Sequence, residues 1–250
     1  MQATVTDLWR HPIKGHGVEA VAETVLRAGE TMAWDRVWAI AQDGARLGEP
    51  SAWAPCQNFS RGAKSPLLMA IRARVDEAAG IVTLTHPWQP PLTVNPDLPK
   101  DAARLVAWVT PLANPNRPAP ARVVRASVGM TDSAFPSIAI LNNASLAALG
   151  GRLGKSLAQE RFRGNVWLDG LAPFAEFDLV GRNIRIGTAL LRVRERITRC
   201  VATGVDPETG LPDSDTLGGL QEGWGHKDFG VYAEVVEGGR IARGDRVALA

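Results

Sequence analysis

Hydrophobic and polar positions alternate over short runs through the first hundred residues. Residues 4–9, 18–26, 37–41 and 67–75 carry the two-residue period or the β-branched content of strands. Val75-Asp76-Glu77-Ala78-Ala79-Gly80-Ile81 reads as a hairpin loop, with residues 81–85 returning as the second strand. Helical spacing occurs over residues 101–109, where Leu105, Trp108 and Val109 share one face behind Asp101 as N-cap. Pro111, Pro115, Pro118 and Pro120 follow closely, with Asn114 and Asn116 between them. Proline at that density neither continues a helix nor sits in a central strand, so a connection is expected there.

Beyond it the pattern predicts strands at 122–126 and 137–141, then a helix at 143–153 with Leu146, Leu149 and Leu153 as its apolar stripe. Asn142 or Asn143 is its N-cap. Further strands are expected at 166–169, 184–186, 190–194 and 231–236. Glu237-Gly238-Gly239-Arg240 reads as a tight turn, and Gly244-Asp245 precedes a last extended stretch at Val247. Many short strands punctuated by Gly and Pro favour barrels or sandwiches over a βαβ sheet. The expected class is mainly β with a few helices, in two portions, residues 1–112 and 113–250.

Composition narrows the function. The chain has 250 residues, 45% hydrophobic and 22% charged, which excludes a largely disordered chain or a long coiled coil. A net charge of +2, with basic residues spread along the chain, gives no reason to expect nucleic acid. The run Leu67-Leu68-Met69-Ala70-Ile71 is far short of the roughly 18 residues that span a bilayer, so no membrane partner is expected. Asp7 and Trp9 interrupt what a signal peptide would need, and two cysteines cannot form a disulfide scaffold. A cytoplasmic protein is the expectation.

Several motifs fail on spacing. Gly150-Gly151-Arg152-Leu153-Gly154-Lys155-Ser156 would be a phosphate loop only with Gly at position 149, where Leu stands, and it follows a helix pattern. It reads as a glycine-rich helix end. His11, His16, His86 and His226 are scattered and lack zinc spacing. An iron–sulfur cluster needs four thiolates, so none is expected and any electrons must come from another chain.

Cys200 closes Arg196-Ile197-Thr198-Arg199-Cys200, just before Val205-Asp206-Pro207-Glu208-Thr209-Gly210. Guanidinium neighbours favour thiolate, the form that binds soft metals. Cys56 has no basic neighbour closer than Arg61 and reads as an inert packed cysteine. Three polar segments stand at strand ends: Arg10-His11-Pro12-Ile13-Lys14-Gly15, Trp34-Asp35-Arg36-Val37-Trp38 and Arg161-Phe162-Arg163-Gly164-Asn165. Each offers the cations and amides that an anionic ligand needs.

Together and in this order, these segments resemble the MOSC (molybdenum cofactor sulfurase C-terminal) proteins over nearly the whole chain, and among them the amidoxime-reducing component family. Pro173-Phe174-Ala175-Glu176 and Phe229-Gly230-Val231-Tyr232, followed by Gly239, Gly244 and Asp245, extend the likeness. The resemblance implies a MOSC-type β-barrel packed on an N-terminal β-barrel domain. It also implies a molybdenum cofactor, a molybdopterin with its metal. Cys200 is then the catalytic thiolate ligand of molybdenum, and Lys14, Gly15, Arg36, Ser137, Arg163, Asn165, Arg199 and Tyr232 hold the pterin and its phosphate. Gly15 and Gly164 depart from the Ser and Pro usual in relatives. The implied activity is reduction of N-hydroxylated small molecules such as amidoximes, hydroxylamines and N-hydroxylated bases. Its electrons would come from an external donor, ferredoxin-like or cytochrome b5-like with a reductase, since no ferredoxin-like domain is expected in this chain. A cofactor or sulfur carrier using the same cysteine is the alternative, and a cofactor-free structural protein is a third.

Overall fold

The computed structural model describes residues 2–48 and 54–250. Its strands are β1 (Ala3–Arg10), β2 (Glu19–Val21), β3 (Glu23–Leu26), β4 (Trp38–Gln42), β5 (Arg72–Asp76), β6 (Ile81–His86) and β7 (Gln89–Val94), followed by helix α1 (Pro99–Val109). Next come β8 (Pro120–Arg125), β9 (Ile138–Asn142), α2 (Asn143–Leu153), β10 (Val166–Asp169), β11 (Asn183–Ile186) and β12 (Ala189–Thr198). Helix α3 (Thr216–Trp224), β13 (Asp228–Glu237), β14 (Gly239–Ala242) and β15 (Arg246–Leu249) complete the described chain.

Seven strands close into a barrel in the order β10-β9-β13-β12-β11-β15-β1, with β1 pairing back to β10 and β2 attached to β1. Closure leaves the barrel strands no free edge. Every second residue points inward, so Val5, Ile140, Leu168, Ile184, Ile186, Leu191, Val193, Val231 and Ala233 fill the interior. A second core gathers Ile13, Trp38, Ile40, Leu84, Val94, Leu105, Trp108 and Val109 around β4, the β5-β6-β7 sheet and α1. The protein is therefore mainly β with three α-helices among the described residues. None of these helices is long and apolar enough to cross a membrane.

Several expected elements differ. Residues 18–26 form two strands rather than one. β2 pairs with β1, whereas β3 pairs with β14, and the break at Ala22 lets the chain change partner. The first part of 67–75 is a 3-10 helix, Pro66–Ala70, because Pro66 presets the first turn and Leu68, Met69 and Ala70 bury together. Helix α1 begins two residues before Asp101, with Pro99 in its first turn and Leu98 at the cap. The Asp101 carboxylate instead accepts from the Asn95 amide at 2.9 Å and from Arg104 at 2.8 Å. β7 carries no strand signal because Pro90 and Pro91 stand in it, and α3 no helix signal because three glycines interrupt its apolar pattern. Helix α2 matches its expected span, with Asn142 accepting from the Ala144 amide at 3.0 Å and Gly154 closing it in the left-handed conformation.

Candidate functional site: a cationic pocket at one barrel end

β1 ends at Arg10, and the chain then turns through a buried loop. The loop is fixed by backbone bonds from Lys14 to the Trp38 carbonyl at 2.7 Å and from Arg36 to the His11 carbonyl at 2.7 Å. Met130 N–H donates to the Arg36 carbonyl at 2.9 Å, which draws in the 130–133 segment. Arg163 lies just before β10, Arg199 and Cys200 just after β12, and Tyr232 on β13. The expected residues Lys14, Gly15, Arg36, Arg163, Arg199, Cys200 and Tyr232 thus line one pocket of about 270 Å³.

Six cations line it: Arg61, Arg161, which pairs with Asp213 at 2.6 and 2.8 Å, and the expected Lys14, Arg36, Arg163 and Arg199. Lys14 donates to the carbonyls of Met130 (2.9 Å) and Thr131 (3.2 Å) and to the Asp132 carboxylate (2.6 Å). Burial depresses its pKa and Asp132 partly restores it. Arg36 pairs with buried Asp35, whose other oxygen accepts from His11 N–H at 2.7 Å. Burial alone would raise the Asp35 carboxyl, yet Arg36 and the His11 hydrogen bonds hold it well below the usual carboxylate range. Arg163 bonds only carbonyls, Gly17 at 3.1 Å, His16 at 3.4 Å and Ile13 at 3.5 Å. Arg199 likewise donates to the carbonyls of Phe229 (2.8 Å) and Phe162 (2.8 Å).

Neither Arg163 nor Arg199 has a carboxylate within ion-pair distance among the described residues. Burial, then Arg36, pushes Arg163 down to about 9, and burial pushes Arg199 down to about 10. Asp35, Asp132 and Asp213 face these six cations, so positive charge outnumbers carboxylates in a partly dehydrated cavity. An anion bound there would supply the missing counter-charge. The Tyr232 hydroxyl also faces this pocket, its pKa raised by burial and by Asp132. Soft sulfur from Cys200 completes a donor set that fits an anionic, metal-bearing group.

Ser137 and Asn165 do not line the cavity. Buried Ser137 accepts from Ser133 Oγ at 2.7 Å. Asn165 accepts from the Ala139 amide at 3.0 Å and donates to the Trp9 carbonyl at 3.2 Å, splicing β1 to β9. Its contribution to the pocket is to fix the chain two residues after Arg163.

Two family models match the chain. The MOSC domain covers residues 133–248, and the MOSC N-terminal beta barrel domain covers residues 2–114. The chain belongs to the MOSC proteins. Mitochondrial amidoxime-reducing component 1 of Mus musculus is 27% identical over 247 residues, spanning 84% of this chain and 68% of that protein. The YUAD protein from Bacillus subtilis overlays 99% of this chain and 94% of its own at TM-score 0.50 and 13% identity, a likeness of fold.

In this MOSC protein Gly15 and Gly164, the two positions expected to depart from the family pattern, stand where a side chain would collide. Gly15 has φ +74°, and a Cβ there would stand 2.8 Å from the Ser60 carbonyl oxygen and 2.9 Å from Arg61 Cα. Gly164 faces Leu141 so closely that a Cβ would overlap its side chain. Both glycines serve close packing around the pocket.

Asp132, Arg61 and Cys56 line the pocket as well, although none is among the expected ligands. Asp132 stands in Met130-Thr131-Asp132-Ser133, where nothing local marks a pocket residue. Cys56 was expected to be inert and packed, but it is only half-buried and shares the cavity with Cys200, because a 3-10 turn, Cys56–Asn58, carries it there.

Proposed function

We propose that this MOSC protein binds molybdenum cofactor in the cationic pocket and reduces N-hydroxylated small molecules to the corresponding amidines, amines or bases. The observation that carries the reading is the convergence of Lys14, Arg36, Arg163 and Arg199 with Cys200, two of the arginines lacking a carboxylate partner. The name of the amidoxime-reducing relative supports the same reaction class. Bound there, the cofactor would supply two-electron redox chemistry for cleaving an N–O bond, an overall change that consumes two electrons and two protons and releases water.

The chain's own part is to bind and orient. Arg163 and Arg199 would neutralise the anionic group by paired hydrogen bonds, and Lys14 would add a point charge. Cys200 would ligate the metal, and Asp35 and Asn165 would keep Arg36 and Arg163 aimed. Electrons would come from a separate ferredoxin-like or cytochrome b5-like donor.

The test is metal analysis of protein purified from a host that makes the cofactor, followed by benzamidoxime reduction with an artificial donor. Stoichiometric molybdenum with benzamidine formation is the expected result. Absence of molybdenum overturns the reading. Molybdenum without turnover would favour a cofactor or sulfur carrier, for which the exposure of Cys200 is the supporting observation.

A further inference from the structure

Beside the cationic pocket lies a second cavity, of about 420 Å³, within the roughly 300–1,000 Å³ range of small-molecule sites. The two cavities share Gly62 and Ala63 as a common wall. The segment that bears Cys200 divides them: Ala202 and Thr203 line the first, while Val201, Gly204 and Val205 line the second. Apolar side chains dominate the second cavity, with Pro66, Val201, Val205 and Leu217 around it. Val201, the residue after the thiol, leaves 59% of its surface exposed. Uncovered apolar surface next to a reactive group is where a ligand's apolar body gains most from leaving water.

The walls are rigid. Thr203 N–H and its hydroxyl both donate to the Cys200 carbonyl, at 3.2 Å and 3.1 Å. The Thr203 hydroxyl also bonds that of Thr216 at 2.6 Å, tying the thiol segment to the start of α3. Gly204 accepts from Asp213 and Ser214 amides at 3.0 Å and 3.2 Å, an approach that a Cβ on Gly204 would block. The charged side chains of its lining are two carboxylates, Asp213 and Asp215. Asp213 is consumed by Arg161 (2.6 and 2.8 Å) and Lys155 (2.5 Å). Asp215 caps α3 through the Gly218 amide at 2.8 Å and has no ion-pair partner among the described residues. An uncharged or cationic ligand suits this lining, and a carboxylate does not.

We propose that this cavity is the substrate-body subsite. It receives the apolar portion of an uncharged or cationic N-hydroxylated substrate, which presents its N–O group over the Ala63 wall toward Cys200. The inference rests on the reductase reading and adds where the substrate lies and which charge it carries.

The test is equilibrium binding, followed by titration with benzamidine and with benzoate, of the full chain and of Leu217→Trp and Val201→Ser. Leu217→Trp fills the cavity. Val201→Ser removes apolar wall at an exposed position, where folding is undisturbed. Benzamidine should bind the wild type at least tenfold more tightly than benzoate and should weaken at least tenfold in folded Leu217→Trp and severalfold in Val201→Ser. Equal binding of benzamidine by wild type and both variants, equal binding of benzoate, or no benzamidine binding overturns the subsite. Loss of turnover or molybdenum with benzamidine binding intact would count against the reductase reading alone. Turnover with KM unchanged in both variants would count against the subsite alone.

Discussion

The Arg36 guanidinium donates through Nη2 to the backbone carbonyl of Arg163, 3.1 Å away and 127 positions along the chain. Both residues sit in the left-handed region, at φ 54° and 47°. For side chains with a Cβ such backbone costs of order 1–3 kcal/mol and persists only where the surroundings impose it. Here the surroundings are the buried Asp35 carboxylate on one side and the carbonyls of Ile13, His16 and Gly17 on the other. Two strained turns thereby brace each other and aim two cations into one cavity.

Replacing Asp35 with alanine should expose how much of that bracing is electrostatic. It leaves the Arg36 charge and the His11 amide without their buried partner, and breaking a buried pair on one side costs about 3–5 kcal/mol. The denaturation midpoint should fall sharply, and Asp35→Asn, which keeps an acceptor for His11, should fall less. A wild-type midpoint for Asp35→Ala would show that the pair is dispensable.

Acid should destabilise this protein well before its carboxylates titrate. Burial, then the charge of Arg163, pushes His11 down to about 3, and burial pushes His16 down to about 4. Unfolded, both rings titrate near about 6.5, so below that pH the unfolded chain binds protons that the folded chain refuses. The stabilisation is complete above about pH 6.5 and is lost as pH falls toward the folded values. Each ring contributes a slope approaching about 1.4 kcal/mol per pH unit in that window. Urea midpoints should decline steadily from about pH 7 to about pH 4.5, and His16→Asn should flatten the decline.

The barrel was legible because its strands alternate and its turns carry Gly and Pro; β12 and β13 pair over the segments that alternation marks. β7 was not, since Pro90 and Pro91 occupy a sheet-edge strand where missing amides cost little. At the pocket, Lys14, Arg36, Arg163 and Arg199 could be found from local polarity at strand ends. Asp132 could not, because its relevance comes from the Met130–Arg36 backbone bond, a long-range contact. Asn165 was legible as a polar residue in the right segment, but its role as a splice between β1 and β9 follows only from register.

Arg163→Ala should lower cofactor retention far more than Arg122→Ala or Arg152→Ala. Arg163 lines the pocket without a carboxylate partner, whereas Arg122 is exposed and Arg152 makes a surface pair with Glu222 at 3.1 Å. Losing a desolvated charged contact costs about 2–5 kcal/mol, against roughly 0–1 kcal/mol for a surface pair. Molybdenum content at limiting cofactor should separate the two classes by more than about tenfold. Equal content in all three variants would remove Arg163 from the cofactor site.

The two thiols should respond together to loading and separately to substitution. Cys200 is exposed and Cys56 half-buried on the same cavity, so cofactor should protect both from iodoacetamide. Cys200→Ser should abolish reduction, because oxygen is a harder donor than sulfur, while Cys56→Ser should keep most of it. An active Cys200→Ser protein with wild-type molybdenum would remove the thiolate from the mechanism.

Replacing Gly15 with serine, the residue the family resemblance implies there, should harm this chain. Gly15 holds φ +74°, and its Cα faces the Ser60 carbonyl and Arg61 Cα so closely that a Cβ would sit 2.8 and 2.9 Å from them. Both obstacles are backbone, so neither can swing aside as a side-chain tip would. The left-handed conformation adds strain, and together they should destabilise Gly15→Ser by about 1–3 kcal/mol. Lys14 is the preceding residue, its amide bonded to the Trp38 carbonyl, so relief of the clash must displace a pocket cation. Molybdenum retention should therefore fall along with the melting temperature, in spite of the added hydroxyl. A Gly15→Ser protein that binds cofactor more tightly at unchanged stability would show that the 60–61 backbone yields, and that the missing hydroxyl was what limited affinity.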